Sequence, residues 1–324
     1  LKVVITGGTG FLGRRLARKL IERGTLGGRT GAQEEIEQIT LLDVVAASET
    51  TDPRLRIVVG DIADTSVLAG VIDEETSAVF HLAAVVSGQA EKDFDLGMRV
   101  NLDAARKVLD ACRLAGNTPR VLFTSSVAVY GGDLSSGVND MTALNPRSSY
   151  GIQKAIGELL LADYSRKGFI DGRVARLPTI SVRPGRPNQA ASSFASGIIR
   201  EPLNRETAVC PVSGDTRMWL LSPRKAIECL VALYELPEAA LGTDRVVNLP
   251  GISVTVSEMV DALRVVGGEA AVARISWQQD PTVERIVGSW PSAWDMTRAQ
   301  SLGLSGDASF EAIVRAYVED ELPK

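Results

Sequence analysis

Tyr150 and Lys154, in the run Tyr150-Gly151-Ile152-Gln153-Lys154, are the first pair in this 324-residue chain whose types and spacing could move a proton. Four residues is about one helical turn, so a helix carries both on one face. An ammonium beside a phenol stabilises the phenolate and brings it toward the operating pH, which makes Tyr150 a usable acid or base. Upstream, Thr124-Ser125-Ser126-Val127-Ala128-Val129-Tyr130 offers Ser126 as a hydrogen-bond donor to a reacting oxygen. The single histidine, His81, ends an apolar run ahead of Leu82-Ala83-Ala84 and reads as structural, the small alanines leaving room for a ligand. Its solitude removes the commonest general base and most metal sites, so no metal is expected.

A tyrosine and a lysine at this spacing are also ordinary helix surface. Their meaning depends on the segment at the other end of the chain, Val3-Val4-Ile5-Thr6-Gly7-Gly8-Thr9-Gly10-Phe11-Leu12-Gly13. An apolar strand runs into glycines that open a helix, the context a dinucleotide-binding turn requires. Glycines let the backbone approach a pyrophosphate, and the helix beginning near Phe11 aims unpaired N–H groups at it, with Leu12 in the same first turn. Gly7, Gly10 and Gly13 fit the spacing, and so do Gly8, Gly10 and Gly13. After a second strand, Leu41-Leu42 leads into Asp43, whose carboxylate can accept from the adenosine ribose hydroxyls and repel a 2′-phosphate, which favours NAD over NADP. Arg14 and Arg15 are the cations that could assist a phosphate instead. The polar stretch Thr25 to Gln38 lengthens the usual separation between turn and carboxylate. Asp61-Ile62, after a third strand, suits the adenine edge, with the carboxylate taking the exocyclic amine and Ile62 packing on the ring.

Positioning these groups requires alternating strands and helices. Short apolar runs at Val3–Ile5, Ile39–Leu42, Arg56–Val59, Val79–Leu82 and Val121–Thr124 alternate with helical patterns at Phe11–Arg23 and Asn101–Gly116. This predicts an α/β fold of Rossmann type, a doubly wound parallel sheet covered on both faces. Residues 1–177 form the expected NAD-binding domain. Residues 178–324, where the pattern loosens around Arg183-Pro184-Gly185-Arg186-Pro187-Asn188, form mainly a smaller, discontinuous substrate-binding lobe, with some segments returning to the first domain. Trp219 reads as packing in that lobe. A formal net charge of −5 gives no footprint for a phosphate backbone, so nucleic acid is not an expected partner. No apolar run reaches membrane-spanning length. Cys112, Cys210 and Cys229 are widely spaced and odd in number, which fits buried thiols in a reducing, cytoplasmic compartment.

Together, Thr6 to Gly13, His81-Leu82-Ala83-Ala84, the serine segment and Tyr150…Lys154 resemble the extended short-chain dehydrogenase/reductase family, which contains nucleotide-sugar epimerases and dehydratases. The match covers nearly the whole chain. Matching the serine four residues before Tyr130 puts the catalytic role on Ser126 and makes Ser125 a cofactor neighbour. The resemblance also implies cofactor contacts at Asn101 and Pro178, and Lys154 binding the nicotinamide ribose. Arg298-Ala299-Gln300-Ser301-Leu302-Gly303 is similar to a C-terminal family signature. One departure redirects the substrate: where sugar-nucleotide enzymes carry Asn-Val-Tyr-Gly-Pro, this chain has Thr179 in place of the asparagine that helps bind the diphosphate. The segments from Ala84 to Gly88, Arg176 to Asn188, Arg200 to Leu203 and Ser222 to Arg224 resemble instead a branch that oxidises a small four-carbon sugar acid with NAD.

That branch implies oxidation of a 2-hydroxyl to the 2-oxo acid, with Tyr150 as acid/base and Ser87, Ser126, Tyr150 and Thr179 at the substrate. A carboxylate substrate calls for a guanidinium, for which Arg183 and Arg217 are the candidates. An NAD-dependent epimerase, in which hydride leaves and returns, is the alternative on the same fold. A non-catalytic NAD(H) sensor is a second alternative, which retention of both Tyr150 and Lys154 disfavours. The family resemblance further implies a homodimer through a four-helix interface built from Asn101 to Gly116 and Tyr150 to Lys167, with Val108, Leu109, Leu159 and Leu160 on an apolar stripe.

Overall fold

The computed structural model describes residues 1–28, 30–46, 52–132, 134, 137–186 and 190–322. Pro187 and Asn188, at the end of the loosened stretch, lie outside them. Apolar strands buried on both faces pair in parallel into a seven-stranded sheet. From edge to edge it runs Val246–Asn248, Asp171–Leu177, Arg120–Ser126, Thr76–His81, Lys2–Thr6, Gln38–Asp43, Leu55–Val59. The chain therefore starts in the middle, builds outward to one side, then crosses back to build the other. The reversal falls between Lys2–Thr6 and Thr76–His81, and at such a switch point the loops leaving the strand ends diverge and open a crevice.

Helix Phe11–Arg23 covers one face because Leu16, Ala17 and Leu20 fall on one side and bury there, ending where Gly24 takes the left-handed conformation at φ 69°. Full burial contributes about 1.5–3 kcal/mol for each leucine. The other face is covered by Ala104–Ala115 and Ser149–Arg166, through Val108, Leu109, Cys112 and Leu161. Val108 and Leu109, expected on an interface stripe, thus belong to the subunit's own core, whereas Leu159 is 67% exposed.

Two elements differ from the expected pattern. The polar stretch after Gly24 folds as an antiparallel hairpin, Thr25–Gly27 with Gln33–Glu35, fastened by Glu235, which accepts from Gly27 N–H, Gln33 and Arg23. The helix expected from Asn101 begins as a π-helical turn, Met98–Asp103, before becoming α-helical at Ala104.

Beyond Leu177 the chain serves both halves. Val246–Asn248 joins the large sheet beside Asp171–Leu177, and Pro223–Glu235 packs with Leu16 and Leu20 in the first core. The rest builds a second core, in which Phe194, Ile198, Met218, Met259 and Phe310 bury beside a three-stranded sheet of Ile252–Thr255, Arg217–Leu221 and Thr179–Ile180. Trp219 is buried against Trp294 in a further cluster with Tyr130 and Val129. The C-terminal helix Phe310–Glu321 is tied back to the first half by Asp320 and Glu321, which pair with Arg15. All three cysteines are free and buried, and burial pushes the Cys112 thiol up to about 12. Among the described residues no helix is long and apolar enough to cross a membrane, and no group of three or more His, Cys, Asp or Glu could hold a metal ion.

Candidate active site

A cavity of about 300 Å³ opens at the switch point. Its floor is the glycine turn, Gly7, Gly10, Phe11, Leu12 and Gly13, and its walls include Leu82, Ala84, Ser125, Lys154 and Pro178. The turn is tight enough to exclude side chains. Gly7 has φ 68°, and a Cβ on Gly13 would lie 2.3 Å from the Gly7 carbonyl oxygen. Gly10 caps the helix without a side-chain acceptor, so the first-turn N–H groups remain for a ligand. A cradle with no room for a Cβ at Gly7, Gly8 or Gly13 that ends in unpaired donors fits a dinucleotide pyrophosphate. A larger cavity of about 400 Å³ between Thr65–Ala69 and Ala104–Ala115 holds none of these groups.

Asp43 ends its strand beside this turn, accepting from Thr9 N–H at 3.2 Å and Val45 N–H at 3.3 Å. Ala83 packs its backbone against Gly7 and donates to Thr6 Oγ1 at 3.3 Å. His81 is fixed nearby by Thr6 Oγ1 at 2.6 Å from Nδ1 and by stacking on Phe123. Burial pushes it down to about 3, so it stays neutral and takes no proton at working pH.

Ser126, Tyr150 and Lys154 line the same cavity. Ser148 caps the helix Ser149–Arg166 through Gly151 N–H, which places Tyr150 in its first turn and Lys154 one turn on. Lys154 is 2% exposed, donates to the Thr124 carbonyl at 2.8 Å and lies over the Phe123 ring. Burial lowers it to about 7, opposed by Glu158. Tyr150 behaves differently from the simple expectation. Burial pushes its phenol up, and the groups that oppose this are the Arg183 guanidinium and a hydrogen bond with Ser126. Lys154, whose ammonium points at the Thr124 carbonyl, is not the charge that eases Tyr150 toward phenolate.

A second, smaller cavity of about 70 Å³ continues from the first, sharing Val86, Ser126, Tyr150, Pro178 and Arg183 with it. Ser87, Thr179, Ser192 and Trp290 complete its wall. Arg183 donates from Nε to the Ile180 carbonyl at 3.1 Å, and among the described residues no carboxylate neutralises it. Arg200 holds the segment in place, donating to the Arg183 carbonyl at 2.7 Å while paired with Glu201 at 2.6 Å. Of the two expected guanidiniums, only Arg183 reaches the site. Arg217 begins the central strand of the three-stranded sheet as its one exposed residue, donates to the Ser253 carbonyl and lies outside both cavities.

Besides Asp43 and Ala83, which lie beside the turn, three further expectations land outside the cavity lining. Ile62 is 5% exposed and turned into the core with Leu42, Leu68 and Val79, so its side chain is no platform for a base. Asp61 pairs with Arg99 and accepts from Ala63 N–H at 2.8 Å. Asn101 is buried in the π-helical turn, where it exchanges hydrogen bonds with the Val85 backbone and donates to Gln153 at 2.8 Å. It thereby fixes the loop that carries Val86 and Ser87 relative to the Tyr150 helix. Ser125 hydrogen-bonds Glu158, which is gripped by Arg176 at 2.6 Å. Ser192, Ser193, Ser196 and Trp290 line the cavities without having been marked by any sequence pattern, and Arg186 and Arg200, which lie in segments that carried the resemblance, line them without having been singled out.

This fold and turn define a nicotinamide-dependent enzyme class, and the chain belongs to the NAD dependent epimerase/dehydratase family, whose model matches residues 3–249. Within it, the chain is 62% identical over 320 residues to the D-erythronate dehydrogenase of Cupriavidus necator, covering 99% of this chain and 98% of that one. It is 45% identical to the D-erythronate dehydrogenase of Haemophilus influenzae, covering 99% and 100%. A crystal structure described as a nucleoside-diphosphate-sugar epimerase from Agrobacterium tumefaciens superposes with a TM-score of 0.92 at 41% identity, covering 99% of this chain and 94% of that one.

Proposed function

We propose that this protein oxidises the 2-hydroxyl of D-erythronate, or a closely similar small sugar acid, to the 2-oxo acid with NAD. The observation that carries the reading is one convergence: Tyr150, Ser126 and an unneutralised Arg183 meet in a small cavity that opens into the dinucleotide cradle. When bound, NAD supplies the hydride acceptor. The residues that would hold it are the glycine turn from Gly7 to Gly13, Asp43 at the adenosine ribose, the backbone near Asp61, and Leu82, Ala84, Ser125, Lys154 and Pro178 along the cavity. Asp43 selects the cofactor without a 2′-phosphate, and Arg15, already paired with Asp320 and Glu321, is not a free cation to offset it.

Tyr150, as phenolate, takes the proton of the substrate 2-hydroxyl. Ser126 donates a hydrogen bond to the same oxygen as it becomes a carbonyl. Arg183 both binds the carboxylate and favours the phenolate, so a single guanidinium couples substrate charge to base strength. Residues 1–177 with Pro178 carry the cofactor functions, and the substrate wall is shared, with Ser87, Ser126 and Tyr150 from the first part facing Thr179, Arg183, Ser192 and Trp290 from the second. Thr179, short and buried, keeps that wall close and lacks the amide expected for a nucleotide diphosphate.

The assembly that fits these helices is a homodimer. The exposed apolar side chains Phe94, Ile152 and Leu159, at 60%, 46% and 67%, lie on the helices that would meet a second copy. Three buried free thiols fit a reducing cytoplasmic compartment. The test is direct: purified protein with D-erythronate and NAD should form NADH, seen by its absorbance. Tyr150→Phe should reduce kcat by about 10²–10⁴-fold while still binding NADH. An epimerase would return its hydride and leave no net NADH.

A further inference from the structure

The smaller cavity is closed by an aromatic ring that arrives from far along the chain. Among the described residues its other lining comes from segments ending at Ser192, and only Trp290 is supplied by the C-terminal region, just after helix Pro281–Gly288. The ring is held from two sides, packing against the second core and against the cluster of Tyr130, Trp219 and Trp294. Its backbone N–H donates to the Val287 carbonyl at 3.2 Å, which ties it to the helix end. It is therefore a fixed wall.

Beyond that wall lies a third cavity, of about 130 Å³. It shares Ser87 with the small one and is lined by the immediate neighbours of the small cavity's residues, Ser289 next to Trp290 and Ala191 next to Ser192. Its remaining lining is mixed, with the polar and charged side chains of Arg147, Ser148, Arg285 and Glu91 beside Gly88 and Ile286. The outer space could thus receive hydroxylated carbons, and the indole stands at the junction.

Resting on the reading of the site as a sugar-acid dehydrogenase site, we propose that Trp290 sets the chain length of the substrate. With the reacting carbon at Tyr150 and the carboxylate at Arg183, C3 and C4 fill the small cavity, and a fifth or sixth carbon meets the indole. The outer cavity is the space such carbons would need. Binding of one misplaced methylene-sized group is worth about 10–200-fold in discrimination, so the wall should be measurable in kcat/KM.

The test compares D-erythronate, D-ribonate and D-allonate, which share configuration at C2 and C3 and differ in length, as substrates of wild type, Trp290→Ala and Trp290→Phe. In wild type kcat/KM falls steeply from four to six carbons. In Trp290→Ala the six-carbon to four-carbon ratio of kcat/KM rises tenfold or more, chiefly through a lower KM for the longer acids, and Trp290→Phe falls between. A four-carbon activity that persists with an unchanged length ratio in both variants overturns the role of Trp290 and leaves the function intact. A wild type that oxidises no acid of the series overturns the function and this inference with it. Should Trp290→Ala fail to fold, the ratio in Trp290→Phe decides alone.

Discussion

Lys154 is a buried amine whose charge the protein does not favour. In the unfolded chain it keeps its proton to about 10.5, and burial lowers it to about 7 in the folded one. Below about 7 both states are protonated and the folded protein bears the whole cost of the buried charge. Between about 7 and 10.5 the unfolded state holds more protons, so stability rises with pH. Lys154→Met should therefore raise the melting temperature relative to wild type by roughly 2 °C or more at pH 6, and by less at pH 9. Equal gains at the two pH values would show that the ammonium is not desolvated. At this scale the sequence was informative where a local motif fixes geometry. Tyr150 and Lys154 share one helix, and Ser126 ends the neighbouring strand, so all three reach one cavity. Arg183, Arg200 and Trp290 meet them only through tertiary packing, and no spacing in the chain distinguishes Arg183 from Arg217. The effect of Lys154 on Tyr150 also depended on where the amine points, which spacing does not reveal.

The element on which the cofactor reading rests is the turn between Lys2–Thr6 and Phe11–Arg23. Its glycines pack backbone on backbone, so it is more sensitive to a methyl group than the surrounding sheet. In Gly13→Ala the new Cβ meets Gly7 and Gly8 backbone atoms at 2.3–2.7 Å, and none of these is the flexible end of a side chain. The turn must open, and NADH affinity measured by fluorescence titration should fall at least about tenfold while circular dichroism remains native. A folded Gly13→Ala variant with unchanged affinity would place the pyrophosphate elsewhere. The strand and helix pattern of the first half was legible because buried parallel strands are continuous apolar runs bounded by turns. The hairpin of Thr25–Gly27 and Gln33–Glu35 was not. Its strands are three residues each, one of them fully exposed, and it is held by Glu235 from 200 residues away in sequence. The π-helical start of the Asn101 segment escaped for a related reason, since its one extra residue per turn leaves the apolar pattern nearly intact.

At the scale of the whole molecule, the doubly wound sheet was predictable but the division of the chain was not sharp. Val246–Asn248 and Pro223–Glu235 lie well past Leu177 yet complete the first half, because an apolar strand or helix does not record which core it will join. The same ambiguity affected Val108 and Leu109, whose stripe serves the subunit core. The exposed stripe through Ile152 and Leu159 is what remains for a second copy. Leu159→Glu should convert a dimer into a monomer in sedimentation velocity with the melting transition retained; a wild type that is monomeric across concentrations would contradict the assembly. The central claim is that the cradle and the small cavity together perform a net oxidation of a small sugar acid. It is tested most directly by incubating wild-type protein and Tyr150→Phe with D-erythronate and NAD, following NADH absorbance and identifying the product. Wild type should form one NADH and one 2-oxo acid for each D-erythronate consumed, with the rate nearly abolished in Tyr150→Phe. No NADH from any aldonate, or a substrate inverted in configuration without net NADH, would contradict it.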